Sequence, residues 1–273
     1  MTTINSKALT REDASLKERM AAITKPLVLI TGANAGIGFA VMENLVNSRK
    51  YHVLLGARAD HKATAAVAEL QQTNPDASSN ITPVIIDVTD DASIAGAAEF
   101  VSSRFGRLDV LINNAGITIS ADRPAANRRE NLHAVFDTNV FGVASVIDTF
   151  LPLLRKSTYP DRRIVNVSTG LSKIAVAYEL ESDWGARKLP APEYRSSKAA
   201  LNMLTAVYAV TLREEGILVV VAAPGYTRTK MTAGEGWKTP AEGARSIVRA
   251  ATGGDRDELF GTMVADELTE CKW

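Results

Sequence analysis

The chain has 273 residues, 46% of them hydrophobic, which is enough for one large domain with a sizeable core. Lysine plus arginine equals aspartate plus glutamate, 31 of each, and the sequence pI is about 6.9. This balance argues against a protein that binds nucleic acid or a membrane surface through bulk charge. The single cysteine excludes an internal disulfide, and the three scattered histidines lack metal-ligand spacing, so we expect no metal site.

The first 25 residues are polar and mixed in charge, without the apolar centre of a secretory signal. We interpret residues 1–25 as a flexible lead-in with a short helix over 14–23. No stretch reaches the roughly 18 consecutive apolar residues that a membrane helix needs. We therefore expect a cytoplasmic protein with no membrane partner and no nucleic-acid partner.

Beyond residue 25, short aliphatic runs alternate with segments of helical period. The predicted elements, in chain order, are a strand at 26–31, a helix from 36, a strand at 51–56, a helix at 60–72, a strand at 82–87, a helix at 91–104, a strand at 108–114, a helix at 129–155, a strand at 162–168, a helix at 193–214, a strand at 217–223, a helix at 240–251 and a weak strand at 261–265. Residues 68–82 are predicted to form a surface loop around Pro75.

Continuous runs of valine, isoleucine and leucine are typical of strands that are buried on both faces of a parallel sheet. Their alternation with helices predicts right-handed crossovers. We therefore predict one α/β domain over residues 26–273, a Rossmann-type doubly wound parallel sheet of about seven strands with helices on both faces.

The first strand runs into TGANAGIG, residues 31–38. Glycine allows close approach of the backbone to a ligand, and a helix N-terminus favours a phosphate. The spacing is Gly-x-x-x-Gly-x-Gly rather than the common Gly-x-Gly-x-x-Gly, but the physical mechanism is the same. This motif predicts a dinucleotide site, and the candidate residues in it are Gly32, Asn34, Gly36, Ile37 and Gly38.

The second strand ends in LGAR, with Arg58 where an NAD-binding protein would carry a carboxylate for the ribose 2′-hydroxyl. Arginine suits a 2′-phosphate through charge-assisted, often bidentate hydrogen bonds. The sequence therefore favours NADP(H) over NAD(H).

Further along, YRSSK places Tyr194 and Lys198 one helical turn apart. A tyrosine has an unperturbed pKa of about 10, and a cation on the same helix face can lower it. The pair alone is weak support for catalysis, because this spacing is common on solvated helix faces.

The ordered set TGANAGIG, NNAG (113–116), Ser168 after a strand, YRSSK and PGYTRT (224–229) resembles the short-chain dehydrogenase/reductase family. Within that family the chain is most similar to the carbonyl reductase group, and the resemblance covers roughly residues 25–265. Each motif is weak alone, and the five in order form a strong signal.

The resemblance implies four catalytic residues. Tyr194 would give or take the proton at the substrate oxygen, and Ser168 would hydrogen-bond that oxygen. Lys198 would bind the nicotinamide ribose and lower the pKa of Tyr194. Asn139 matches the family asparagine that holds a water linking the lysine to solvent.

The resemblance also implies further cofactor contacts. Asp87 and Val88 match the pair beside the adenine ring, and Asn114 would line the cofactor cleft while Asn113 ties neighbouring strands together. Thr227 and Thr229 would meet the nicotinamide carboxamide.

Two features depart from the family pattern. Position 35 is alanine, where many NADP-preferring relatives carry a basic residue. Ser168 and Tyr194 are 26 residues apart, about twice the usual family gap, because of an insertion at about 171–192 that contains Tyr178 and Trp184. This insertion could wall the substrate site, or it could equally cover the helix that relatives use to associate, in which case the protein is a monomer. A monomer is slightly favoured over a homo-oligomer on this basis.

The sequence thus predicts an NADPH-dependent oxidoreductase that reduces an aldehyde or ketone. An NAD-dependent alcohol dehydrogenase, a non-redox biosynthetic catalyst and a cofactor-binding sensor are the alternatives. The intact catalytic set argues against the sensor. The substrate is expected to be a small molecule, and a lid at about 226–239 with Tyr226, Met231 and Trp237 indicates an apolar or aromatic-tolerant pocket.

Overall fold

The computed structural model describes residues 24–119, 127–265 and 269–271. The strands are β1 (Leu27–Ile30), β2 (His52–Ala57), β3 (Ile81–Ile85), β4 (Val110–Asn113), β5 (Arg163–Val167), β6 (Leu218–Ala223), β7 (Met263–Ala265) and β8 (Thr269–Cys271). The helices are α1 (Gly36–Asn47), α2 (Asp60–Thr73), α3 (Asp91–Phe105), α4 (Arg128–Phe136), α5 (Gly142–Lys156), α6 (Ile174–Ala177), α7 (Pro192–Thr211), α8 (Pro240–Thr252) and α9 (Arg256–Leu259). A π-helical turn, Asp137–Phe141, joins α4 to α5.

The strands pair in the order β3-β2-β1-β4-β5-β6-β7-β8. Neighbours are parallel from β3 to β7, and β8 runs antiparallel to β7. Ile30 at the end of β1 pairs with Leu55 on one side and Ile112 on the other. The strand order therefore reverses at β1, and a ligand crevice is expected at the carboxyl ends of β1 and β4. The predicted Rossmann-type fold is confirmed.

The hydrophobic core lies on both faces of the sheet. Along β1, Val28 and Ile30 face a layer made by α1, α2 and α8, whereas Leu27 and Leu29 face a layer made by α3, α5 and α7. All four side chains are fully buried. Two-sided burial explains why the strands read as unbroken apolar runs in the sequence.

The helical stretch Arg128–Lys156 is long and apolar enough to cross a membrane by length and composition alone. Of its most apolar window, 56% is buried inside the protein. Val146, Phe150 and Leu154 pack in the core against the sheet. The core helix of a globular protein also meets these criteria of length and hydropathy. The burial of this stretch therefore explains why it is so apolar.

Four other details differ from the sequence prediction. β8, α6 and α9 were not predicted, and α2 continues to Thr73 before a 3-10 turn at Pro75–Asn80, so only part of 68–82 is loop. The predicted lead-in and its short helix lie almost entirely outside the described residues.

The structure predicts acid sensitivity that originates at His52. Its Nε2 lies 2.9 Å from Thr82 Oγ1, and burial, with the charges of Lys25 and Arg104, lowers the pKa of His52 to about 4. An unfolded chain binds this proton near pH 6.5, so stability is lost as the pH falls from 6.5 towards 4. By pH 5 the loss should be about 2 kcal/mol.

Urea unfolding at pH 7 and pH 5 tests this prediction. His52→Gln should remove most of the loss, whereas His133→Gln, at an exposed histidine, should keep it. An equal loss in the protein with His52 and in His52→Gln would contradict the assignment.

Candidate active site

The glycine turn connects β1 to α1. Gly32 and Gly36 have φ angles of +64° and +58°, which L side chains rarely adopt. A Cβ atom on Gly32 would lie 3.1 Å from the Ala115 Cα atom. Helix α1 has no side-chain cap and no acidic residue in its first turn. The N–H groups of that turn are therefore suited to an anion such as a phosphate.

Asn114, at the end of β4, holds this turn in place. Its backbone N–H donates to Thr31 Oγ1 at 3.0 Å, and its Nδ2 donates to the carbonyl oxygens of Thr31 and Gly32 at 2.9 and 3.2 Å. A Cβ atom on Gly38 would lie only 2.4 Å from Asn114 Nδ2. Asn114 thus holds the glycine turn in position. The neighbouring Asn113 donates from Nδ2 to Asn166 Oδ1 of β5 at 2.9 Å.

Helix α7 carries Tyr194 and Lys198 on one face, beside the carboxyl end of β5. Lys198 Nζ donates to the Val167 carbonyl oxygen at 2.8 Å, next to Ser168. Ser168 Oγ donates to Asn202 Oδ1, one turn further along α7, at 2.7 Å. These two contacts bring the serine, tyrosine and lysine of the predicted site to the same end of the sheet.

The fourth predicted residue, Asn139, lies in the π-helical turn. Its Oδ1 accepts from the Ile117 N–H at 2.9 Å, and its Nδ2 donates to the Ile117 carbonyl oxygen at 2.9 Å and to Ser197 Oγ at 3.1 Å. A Cβ atom on Gly116 would lie 3.3 Å from Asn139 Oδ1 and 3.5 Å from Lys198 Nζ. The Asn139 side chain therefore joins the loop after β4 to the helix that carries Tyr194.

Burial shifts both titratable groups towards their neutral forms. It raises the pKa of Tyr194 to about 12 and lowers the pKa of Lys198 to about 8. The direction for Tyr194 is opposite to the expected lowering by Lys198. The physical reason is that desolvation disfavours the phenolate, while the lysine ammonium group points to the Val167 carbonyl oxygen. Tyr194 is consequently protonated at neutral pH and can act as an acid.

The remaining predicted cofactor residues follow other strand ends. Arg58 is exposed directly after β2. After β3, the Asp87 carboxylate accepts from Thr89 N and Oγ1 at 3.0 and 2.8 Å, and Val88 is buried. Asn34 and Ile37 are half-buried in the glycine turn.

After β6, Thr227 is buried and donates to the Gly225 carbonyl oxygen at 3.3 Å. Thr229 reaches the glycine turn, since its Cγ2 lies 3.6 Å from where a Gly36 Cβ would be. The loop after β6 therefore lies against the start of α1, on the same side of the sheet as the predicted cofactor cleft.

The insertion is attached to α7 through Arg195. The buried guanidinium group donates to the carbonyl oxygens of Leu189 at 3.1 Å, of Leu171 at 3.3 Å and of Trp184. These acceptors lie at the start, middle and end of the insertion. One side chain of the catalytic helix therefore binds the insertion at three points along its length.

The insertion also meets the lid. The rings of Trp184, Tyr226 and Trp237 form three edge-on pairs with centroids 5.3, 5.3 and 5.5 Å apart. We call these three residues the aromatic cluster. It joins the insertion to the lid, and its edge-to-face geometry adds to the energy of burial.

One face of α7 bears on the oligomeric state. Met203, Val207 and Val210 are each more than half exposed along this face. The insertion, attached to the start of α7 and to the lid, leaves these three side chains uncovered. The oligomeric state stays a prediction for light scattering to decide against the monomer mass of 29.3 kDa.

Asn202 and Arg195 were not predicted as site residues. A signal for Asn202 was present, since Tyr194, Lys198 and Asn202 recur every four residues, which places them on one side of a helix. Arg195 had no such signal, because its partners are backbone carbonyl groups. Within the described ranges, no group of three histidine, cysteine, aspartate or glutamate residues could hold a metal ion.

Comparison with known proteins identifies the family. Residues 26–238 match the short chain dehydrogenase family. The chain belongs to the short-chain dehydrogenase/reductase family. It is 55% identical over 256 residues to the short-chain dehydrogenase anuI of Penicillium roqueforti, covering 93% of this chain and 100% of that one. As a member of this family the protein is an NAD(P)-dependent oxidoreductase, and both the predicted family and the predicted enzyme class are confirmed.

Two carbonyl reductases are among the similar proteins. The mouse protein named carbonyl reductase [NADPH] 1 is 28% identical over 285 residues, covering 90% of this chain and 98% of that one. The crystal structure of NADPH-bound carbonyl reductase from chicken fatty liver superposes with a TM-score of 0.74 at 29% identity, covering 91% of this chain and 99% of that one. The predicted similarity to the carbonyl reductase group is confirmed.

Proposed function

We propose that the protein is an NADPH-dependent reductase that converts the carbonyl group of an aldehyde or ketone to an alcohol. The observation that carries this proposal is the convergence of Ser168, Tyr194 and Lys198 beside the glycine turn. The names of the mouse and chicken relatives, which specify NADPH and carbonyl reduction, support it.

The bound cofactor would supply the hydride, and the protein side chains would handle the proton. Tyr194, kept protonated by its raised pKa, donates its hydroxyl proton to the oxygen of the reduced carbonyl. Ser168 lies within reach of the same oxygen and fixes its position. Lys198, whose pKa of about 8 leaves it mostly protonated at pH 7, binds the ribose hydroxyls. Asn139 holds the loop after β4 and would anchor a water that links Lys198 to solvent.

The donor set fits a dinucleotide with a 2′-phosphate. Helix α1 offers uncapped N–H groups to the pyrophosphate, and Gly36 has no side chain to obstruct its approach. Arg58 follows β2 at the edge where the adenosine ribose would lie, and Asp87 follows β3 beside it. Among the described residues that follow β2, the first carboxylate is that of Asp60, and Arg58 precedes it. Arg58 is therefore a stronger partner for a ribose 2′-phosphate than for a ribose 2′-hydroxyl.

Arg58→Ala should erase most of the preference for NADPH. The unmodified protein is expected to bind NADPH about ten- to a hundredfold tighter than NADH, as charge-assisted contacts of a few kcal/mol allow. The dissociation constants are measured by fluorescence titration. Arg155→Ala, at an exposed arginine at the opposite end of the sheet, should leave the ratio unchanged. Equal dissociation constants for the two cofactors in the unmodified protein would contradict the preference.

The mouth of the site suggests an apolar, ring-containing substrate. Five large hydrophobic side chains are exposed in the insertion and lid, namely Ile174, Tyr178, Leu180, Met231 and Trp237. We propose that this surface, together with the aromatic cluster, forms the mouth of the site and offers flat apolar contact to a substrate. A small-molecule partner of this kind is our proposal, and a cytoplasmic location remains the prediction.

An NADPH-oxidation screen tests the proposed function. Acetophenone, benzaldehyde and menadione should be reduced with lower KM values than pyruvate or glyceraldehyde. Trp237→Ala should raise KM for the aromatic carbonyls about three- to tenfold, as the loss of ring contacts of about 0.5–1.5 kcal/mol implies. KM for the small carbonyls should not change. No NADPH oxidation with any carbonyl would overturn the proposal and favour the non-redox alternative.

A further inference from the structure

Ser168 belongs to a buried chain of side-chain hydrogen bonds. Ser168 Oγ donates to Asn202 Oδ1 at 2.7 Å, and Asn202 Nδ2 donates to Ser172 Oγ at 2.7 Å. Ser172 Oγ in turn donates to the Thr169 carbonyl oxygen at 2.5 Å. All three side chains are less than a tenth exposed. The chain of bonds joins β5, the catalytic helix and the start of the insertion.

This arrangement determines what Ser168 can offer to a substrate. A serine hydroxyl has one proton, and here that proton is directed to Asn202. The oxygen of Ser168 then has only lone pairs left, so it can accept a hydrogen bond from an alcohol. It cannot donate one to a carbonyl oxygen.

Rotation of the Asn202 amide by 180° gives the opposite arrangement. Nδ2 then donates to Ser168 Oγ, and Oδ1 accepts from Ser172 Oγ, so the Ser168 proton is free to reach a carbonyl oxygen. The Thr169 carbonyl oxygen keeps a partner, because the Ser172 backbone N–H also donates to it at 3.2 Å. Both arrangements therefore satisfy the buried groups.

We propose that Asn202 is a positioning residue whose side-chain amide sets the direction of the Ser168 hydroxyl, accepting its proton when the alcohol is bound and donating to its oxygen when the carbonyl is bound. This inference rests on the proposed carbonyl reductase function. It explains how one serine serves both the substrate and the product of the same reaction.

Asn202→Asp separates the two arrangements, because a carboxylate can only accept. The probes are acetophenone with NADP⁺ and 1-phenylethanol with NADPH, two complexes that cannot react. The measured quantities are equilibrium dissociation constants, not catalytic efficiencies. The equilibrium constant of the reaction fixes the ratio of the catalytic efficiencies in the two directions, so any variant changes both by the same factor. With the carboxylate ionised, acetophenone should bind about five- to tenfold more weakly, as the loss of one hydrogen bond implies, while 1-phenylethanol binding stays within about twofold.

Lowering the pH should protonate the introduced carboxyl group and restore acetophenone binding. Lys198 and Tyr194, the titratable groups on the same helix face, are present in every variant, so comparison with the unmodified protein isolates the new group. NADPH affinity reports that the site is folded. A pH-independent, equal loss of both probes in Asn202→Asp would overturn the inference.

Asn202→Ala provides a second test that introduces no buried charge. It imposes neither direction, so both probes should bind more weakly by similar factors of about two to ten, with no added pH dependence. Unchanged affinity for both probes, with NADPH binding intact, would overturn the inference while leaving the proposed function standing. If the unmodified protein reduces no carbonyl in the screen, the proposed function fails, and the inference fails with it.

Discussion

Replacing Tyr194 with phenylalanine is expected to lower kcat for carbonyl reduction by about 10² to 10⁴, the usual effect of removing a positioned general acid. The change deletes one hydroxyl group and little volume, so the fold and the affinity for NADPH should survive. The raised pKa of Tyr194 means that the acid form is present at pH 7. Steady-state kinetics with the best carbonyl of the screen measures the loss.

Tyr51→Phe is the matched control, because it makes the same chemical change at a half-buried tyrosine that directly precedes β2, at the opposite end of the sheet from the site. It should retain nearly full turnover. If Tyr194→Phe keeps more than about a tenth of the original kcat, the loss is smaller than removal of a general acid causes, and Tyr194 is not the proton donor.

Replacing Lys198 with alanine should impair both binding and turnover. A hydrogen bond from a charged donor is worth about 1.5–3 kcal/mol, so the dissociation constant of NADPH should rise about ten- to a hundredfold. Turnover should also fall, because the buried cation near the catalytic tyrosine is gone. Fluorescence titration of NADPH and steady-state kinetics separate the two effects.

Lys156→Ala is the control, since this lysine is exposed at the end of α5, far from the site. Lys198→Met, which preserves much of the side-chain volume, should match Lys198→Ala in NADPH affinity. If Lys198→Met binds NADPH as tightly as the unmodified protein, the lysine fills space and does not bind the cofactor.

The contrast between the two variants is itself diagnostic. Tyr194→Phe should reduce turnover without changing NADPH affinity, whereas Lys198→Ala should change both. The structure supports this division, because Lys198 Nζ lies between the Val167 carbonyl oxygen and the loop at Gly116, on the cofactor side of α7.

The parts of the fold that depend on local periodicity could be predicted from the sequence. β1 and β6 are unbroken apolar runs because they are buried on both faces, and the glycine turn stands between a strand and a helix as the motif requires. β8 could not be predicted in this way. It has three residues, too few to show a period, and its pairing with β7 is a tertiary contact.

The same distinction applies to the candidate site, where residues in sequence motifs could be named in advance and features that depend on tertiary contacts could not. The order of the motifs was enough to name Ser168, Tyr194 and Lys198 as candidates, since Ser168 follows β5 and the other two lie one turn apart near the start of α7. The pKa of Tyr194 could not be predicted, because its direction depends on how deeply the hydroxyl is buried. The position of the insertion depends on Arg195, which binds backbone carbonyl groups and so leaves no pattern in the sequence of its partners.

The attachment of the insertion through Arg195 also sets how the two walls of the site can move. Three carbonyl groups spread along the insertion share one buried guanidinium, so the insertion cannot swing outward without losing all three bonds. The lid is held differently: its ends pair where Lys238 N donates to the Tyr226 carbonyl oxygen and Arg228 N donates to the Lys238 carbonyl oxygen, at 3.2 and 2.9 Å. We therefore expect the insertion to be a rigid wall and the lid to be the part that moves, with its Tyr226 and Trp237 rings closing against Trp184 of the insertion. Substrates would then enter and leave on the time scale of lid motion, while the wall from the insertion keeps the same face of every substrate against the catalytic helix.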